Sequence, residues 1–415
     1  MFKNINCKNL PSLRRNIVYQ FLYELLIVFI PLFTIPYVSR VLGAENIGLF
    51  SYTYAVANYF VLFANLGIKN YGSRTIAMVR NNKEELNRNF SEILSIHIIF
   101  SIIVIFVYLV LLFFFVEDNL VIFLIQSIYV FAAVFDINWF FFGIEKFKLT
   151  VGRNTLVKIL SVFLVLVFVK TQTDLWIYAL ILALSVFVGQ SVVWFALKQY
   201  VSWRRPSWAN MKQHIRPLFV LFLPILALSL YKYMDKIMLG SISSNVQVGF
   251  YENAEKIINV PMSLIMAFGV VLMPRIANMV TSKDKGEVFK LIDMSMEAVM
   301  LLAIAISFGL AGISFVLAPI FFGYEFEECG ILIMGLAVTV PFMAFANVIR
   351  TQYLIPYKED KIFVVSLFLG AAVNLIVNII LIPYMAARGA VIGTIFAEII
   401  VCIYQSYFVR KKIFI

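Results

Sequence analysis

Residues 93–116 read ILSIHIIFSIIVIFVYLVLLFFFV, with no Asp, Glu, Lys or Arg among them. A helix rises about 1.5 Å per residue, so about 20 apolar residues cross the roughly 30 Å hydrocarbon layer of a bilayer. This run is long enough, and it does not alternate apolar with polar side chains as a barrel strand does. A helix satisfies its own backbone in lipid, so a spanning helix is predicted. Eleven further runs read the same way: 17–38, 47–67, 120–142, 155–169, 175–197, 217–239, 246–273, 292–321, 329–349, 362–383 and 390–409. The fifth of the twelve, 155–169, is short, and the ninth, 292–321, is long. The whole chain of 415 residues is 62% apolar and 14% charged, with mean hydropathy +0.93. An ordinary soluble domain carries roughly a quarter charged residues. Soluble, disordered and nucleic-acid-binding classes are therefore excluded, and the predicted class is an all-α polytopic membrane protein of about twelve transmembrane helices.

A chain so poor in charge still has a formal net charge of +11. Twelve spans put both termini on one side of the membrane. The connections on that side are 1–16, 68–92, 143–154, 198–216, 274–291, 350–361 and 410–415, and they hold 27 of the 34 Lys and Arg. The opposite connections hold only Arg40, Lys170 and Arg388. Such asymmetry marks the basic side as cytoplasmic. The expectation is a multi-pass membrane protein with both termini in the cytoplasm. The first hydrophobic stretch lacks a small-residue cleavage site and reads as a retained span. The surplus charge then orients the chain and meets anionic lipid.

Gly48-Leu49-Phe50-Ser51-Tyr52 precedes Arg74-Thr75-Ile76-Ala77-Met78-Val79 by the same interval that separates Gly249-Phe250-Tyr251-Glu252-Asn253 from Arg275-Ile276-Ala277-Asn278-Met279-Val280. This weak repeat suggests two six-helix halves of like orientation, residues 1–200 and 201–415, and transporters built this way hold substrate between the halves.

Charges inside spans are costly and point to function. The acids that stand out as candidates for ion coupling are Glu24, Asp136, Asp235, Glu252, Glu255 and Glu398. The cations Lys232, Lys236 and Lys256, with Arg40 at the outer end of the first span, are candidates for an anionic substrate. The densest group is Tyr231-Lys232-Tyr233-Met234-Asp235-Lys236 with Glu252, Glu255 and Lys256 on the next span. Two readings stand: mutual charge pairing, such as Asp235 with Lys256, or a polar cavity whose lysines attract an anion. His97 reads as interfacial and His214 as a residue of a basic loop. Cys7, Cys329 and Cys402 are far apart and match no metal or redox spacing, so no metal or cofactor is implied.

Three segments carry a family resemblance. They are Ile30-Pro31-Leu32-Phe33-Thr34-Ile35-Pro36-Tyr37-Val38-Ser39-Arg40-Val41-Leu42-Gly43, Trp139-Phe140-Phe141-Phe142-Gly143-Ile144-Glu145-Lys146-Phe147-Lys148, and Asp235-Lys236-Ile237-Met238-Leu239-Gly240. In order along the chain, they resemble the bacterial polysaccharide transporters of the Wzx type. These belong to the multidrug/oligosaccharidyl-lipid/polysaccharide exporter superfamily. The resemblance implies two six-helix bundles forming a V around a central cavity. It implies a flippase, without covalent chemistry, that moves an undecaprenyl-pyrophosphate-linked oligosaccharide to the outer leaflet for O-antigen or capsule assembly. Ion-coupled alternating access is expected. The implied partners are the lipid-linked oligosaccharide and membrane lipids, with a polysaccharide polymerase and chain-length machinery as further associates. A multidrug or cation antiporter of the same superfamily is the alternative. A membrane polysaccharide polymerase fits less well, because the short outer connections leave no room for a catalytic loop.

Overall fold

The computed structural model describes residues 10–281 and 285–413, and every regular element among them is helical. The chain forms two compact units, one of residues up to Ile35 with Val56–Ile225 and one of Pro36–Ala55 with Leu226–Ile415. Helix α1 (Leu10–Asn65) therefore contributes to both. The first unit continues with α2 (Ile68–Val79), α3 (Lys83–Phe115), α4 (Leu120–Val134), α5 (Asn138–Gly143), α6 (Phe147–Phe168), α7 (Leu175–Leu197) and the start of α8 (Trp208–Ile242). The second holds the rest of α8 and then α9 (Asn245–Thr281), α10 (Lys285–Phe322), α11 (Cys329–Ala337), α12 (Thr339–Val348), α13 (Asp360–Met385) and α14 (Ala387–Ile413).

Among the described residues, eleven helical stretches are long and apolar enough to cross a membrane. The first, Leu32–Val79, joins the first two predicted spans, and Gly43 interrupts the helix between them at φ 77°. A side chain is strained at that φ, so glycine suits the break. The predicted short fifth run is the end of a full-length helix, α6, of 22 residues. Arg153 had made its first turns look like a loop. Its guanidinium instead donates to the Gly189 carbonyl (2.7 Å) and to Asn138 Oδ1 (3.0 Å), so a charged residue is held inside the helix.

The Trp139-Phe140-Phe141 segment packs the first unit rather than facing lipid. All three side chains are buried, and Phe90 stacks on Trp139 while meeting Phe140 edge-on. Short helices α2 and α5 lock through glycines: a Cβ on Gly72 would lie 2.6 Å from the Trp139 ring, and one on Gly143 equally close to Ile76.

The units are not the contiguous halves 1–200 and 201–415. Residues Pro36–Ala55 pack within the second unit because α1 crosses α9 there almost backbone on backbone. A Cβ on Gly48 would fall 1.6 Å from the Asn245 oxygen, and one on Gly249 would fall 2.1 Å from the Ala44 oxygen. Ala44 and Gly48 are four apart, as are Asn245 and Gly249, so the contact is reciprocal. The repeat seen in the sequence marks this crossing. Two polar ties flank it. Arg40 donates to the Ile320 carbonyl (2.6 Å) at the end of α10, where unpaired carbonyls favour a cation. Glu325 accepts from the Ala44 amide (2.8 Å), a donor freed by the break at Gly43.

Candidate functional site

Two lysines of the second unit, Lys236 and Lys256, are paired with carboxylates. Lys236 is 8% exposed, and its ammonium lies 2.6 Å from Glu252 and 2.8 Å from Glu255. Lys256 reaches the other oxygen of Glu252 at 3.1 Å, one helical turn along α9. Two cations thus face two carboxylates and cancel. Lys232 stands apart: it is exposed, and its ammonium sits 5.3 Å from the centre of the Tyr233 ring. Of the two readings open in the sequence, charge pairing holds for this cluster. The pair expected, Asp235 with Lys256, does not form.

Asp235 belongs to a different environment, and it is 4% exposed. One oxygen accepts from Tyr251 Oη (2.5 Å) and Thr394 Oγ1 (3.0 Å), and the other accepts from Asn378 Nδ2 (2.6 Å). Asn378 Nδ2 also donates to Asn374 Oδ1 at 3.1 Å. All of these partners are neutral and come from α9, α13 and α14. A helix turns 100° per residue, so Asp235 and Lys236, adjacent in sequence, look toward different neighbours. The charge of a carboxylate buried among neutral groups costs free energy, which these hydrogen bonds offset in part.

Glu398 is 8% exposed and lines a cavity of about 170 Å³ inside the second unit with Asn347, Arg350 and Gln405. Arg350 donates to Asn347 Oδ1 (3.1 Å) and lies over the Phe363 ring. It sits in a π-helical turn, Ile349–Leu354, a rare geometry that recurs at functional positions. The sequence had assigned Arg350 to a connection because the apolar run weakens there. Only the unexpected widening of the helix draws it inside.

Asp136 closes a local turn before α5: its Oδ1 accepts from the Asn138 amide (3.0 Å) and side chain (2.7 Å). Asn138 passes the network on to Gln190 and Arg153. This is local structure rather than an open carboxylate. Arg40 is spent on the end of α10, and the Glu24 side chain lies outside the described residues. His97 is fully buried rather than interfacial. His214 is buried too, with Nε2 2.9 Å from Glu92, and is not the loop residue expected.

The family described as "Polysaccharide biosynthesis protein" matches residues 13–280, well over half of the chain. The chain belongs to the polysaccharide biosynthesis protein family. Within this family's reach, the similarity extends end to end. A protein of Shigella dysenteriae named "Putative O-antigen transporter" is 24% identical over 408 residues, covering 95% of this chain and 99% of its own. Its namesake in Escherichia coli is 26% identical over 411 residues, covering 97% and 98%. Among solved structures, the "Lipid II flippase MurJ, inward closed conformation" superposes with a TM-score of 0.75 at 14% identity, over 95% of this chain and 87% of that one. At that identity the likeness establishes the fold alone.

Proposed function

We propose that the protein is a flippase that carries an undecaprenyl-pyrophosphate-linked oligosaccharide from the inner to the outer leaflet of a bacterial inner membrane, for O-antigen or capsule assembly. The observation that carries this reading is the end-to-end similarity to two proteins named for O-antigen transport. The physics agrees. A pyrophosphate cannot cross hydrocarbon unaided, whereas the lipid tail need never leave it. The two compact units are the bodies whose rearrangement moves the headgroup, and a polymerase with its chain-length machinery receives the product. No covalent step is required of the chain.

We further assign ion coupling to Asp235. Glu252 and Glu255 are occupied by lysines, and Asp136 is engaged by Asn138. Asp235 accepts from two hydroxyls and one amide NH2 and has no salt-bridge partner among the described residues. It can take a proton or Na⁺ from one side and release it to the other as the helices around it shift.

Depletion of the protein in its host should make the lipid-linked oligosaccharide accumulate in the inner leaflet, and surface polymer should fall. An unchanged leaflet distribution would remove the flippase reading, and loss of dye efflux with intact surface polymer would favour a drug exporter. For coupling, Asp235→Asn keeps the size of the side chain and removes its charge. Surface polymer should drop by at least about tenfold at unchanged protein level, the effect of one lost coupling charge worth about 1.4 kcal/mol or more. Full export by that variant would rule Asp235 out.

A further inference from the structure

Lys236 and Lys256 are taken up by carboxylates, and three arginines of the first unit converge on one cavity. Arg74 on α2, Arg88 on α3 and Arg216 on α8 line a space of about 680 Å³. Arginines on this face are expected from membrane orientation alone, but orientation does not bring three elements to one hollow. Their pairing also sets them apart. Arg80 has Glu145 at 2.5 Å, and Arg204 has Glu84 at 3.6 Å. Among the described residues, no carboxylate lies within 4.0 Å of Arg74, Arg88 or Arg216.

The wall behind them is built and buried. His214 is 2% exposed and Glu92 1%. Tyr71 Oη lies 2.6 Å from His214 Nδ1, and His214 Nε2 lies 2.9 Å from Glu92 Oε2. Asn210 Nδ2 donates to Glu92 Oε1 at 3.0 Å. Both oxygens of the neighbouring carboxylate are therefore engaged by Asn210 and His214 and not by the three arginines. Met78 and Val220, both largely exposed, line the same cavity, so one side of it offers apolar surface beside the cations.

We propose that this cavity is an anion site for a pyrophosphate headgroup borne by a lipid, a loading position on the basic face of the membrane. Guanidinium forks match phosphate oxygens two at a time, and three forks suit a group with several such oxygens. The apolar side accommodates the first carbons of the attached chain. The lipid's identity rests on the flippase reading above, whereas the anion site rests on the arginines alone.

The test measures binding to the full-length purified protein by calorimetry. The probes are farnesyl pyrophosphate, inorganic pyrophosphate and phosphatidylglycerol. Farnesyl pyrophosphate should bind, inorganic pyrophosphate should compete with it, and phosphatidylglycerol should bind more weakly. Joint substitution Arg74→Gln, Arg88→Gln and Arg216→Gln should weaken farnesyl pyrophosphate by at least about thirtyfold, as expected on losing several charge-assisted bonds. The salt-bridged control Arg80→Gln should stay within about twofold. If the triple variant is not recovered folded, Arg216→Gln alone decides, with a loss of at least about fivefold expected. Binding unchanged by these substitutions, or no binding of either pyrophosphate, overturns the site. Phosphatidylglycerol bound as tightly as farnesyl pyrophosphate, and lost in the same variant, overturns the pyrophosphate assignment in favour of an ordinary lipid contact. Restoration of surface polymer in a deletion strain is read separately. A wild-type protein that restores polymer yet binds no pyrophosphate refutes the site while the flippase reading stands.

Discussion

At Lys236 one buried ammonium holds two carboxylates within 2.8 Å. A buried pair contributes little over an apolar packing of the same shape, but loss of one partner leaves an uncompensated charge. Lys236→Gln should therefore destabilise the protein by about 3–5 kcal/mol, read as a fall in thermal midpoint. Adding Glu255→Gln should recover most of that loss, since Glu252 keeps Lys256 as its partner and no stranded charge remains. If the single variant melts with the wild type, the cluster contributes no structural tie and its lysine is available to a ligand after all. The sequence located these charges on neighbouring elements and at the right depth. It did not reveal who pairs with whom, because pairing depends on how α8 and α9 are rotated about their axes. That rotation is set by packing: Asp235 turns to Asn378 and Thr394, while Lys236 turns to Glu252 and Glu255. Nothing in the local pattern distinguishes the two outcomes.

At the level of elements, the crossing of α1 and α9 shows what glycine does in this fold. Helices in lipid gain no hydrophobic drive against each other, so close backbone approach supplies the attraction, and small residues permit it. A methyl on Gly48 or Gly249 would overlap the partner's carbonyl oxygen at 1.6 or 2.1 Å. Gly48→Ala and Gly249→Ala should each lower stability by about 1–3 kcal/mol, as overpacked sites do. Gly309 and Gly312 on α10 supply the contrast, since an added Cβ there meets nothing within 4 Å. Alanine at either should be neutral or should stabilise by about 0.5–1 kcal/mol, the helix propensity it gains. Thermal unfolding of the four purified variants checks both halves of the expectation. Equal effects at all four positions would remove the crossing as a special contact. The spans themselves were legible because apolar runs of membrane length have one physical solution. The inclusion of Pro36–Ala55 in the second unit was not, since it depends on a glycine contact between segments about 200 residues apart in sequence.

For the whole molecule, the partition of charge carries the directional argument. Of the 34 Lys and Arg, 27 fall on connections of one side, and the bias of short connections sets orientation. The basic side should face the cytoplasm, and the arginine cavity formed by Arg74, Arg88 and Arg216 should then open where a lipid-linked precursor is made. The direction of transport proposed for the protein depends on this. Thr173 and Ser207 are both exposed and lie on connections of opposite sides, the latter beside Arg204 and Arg205. With Cys7 replaced by Ser and the buried Cys329 and Cys402 left in place, Thr173→Cys and Ser207→Cys report one side each. A membrane-impermeant maleimide should label Thr173→Cys in intact spheroplasts. Ser207→Cys should react only after the membrane is permeabilised. The reverse pattern would invert the molecule, place the arginine cavity on the outer face and turn a loading site into a site of release.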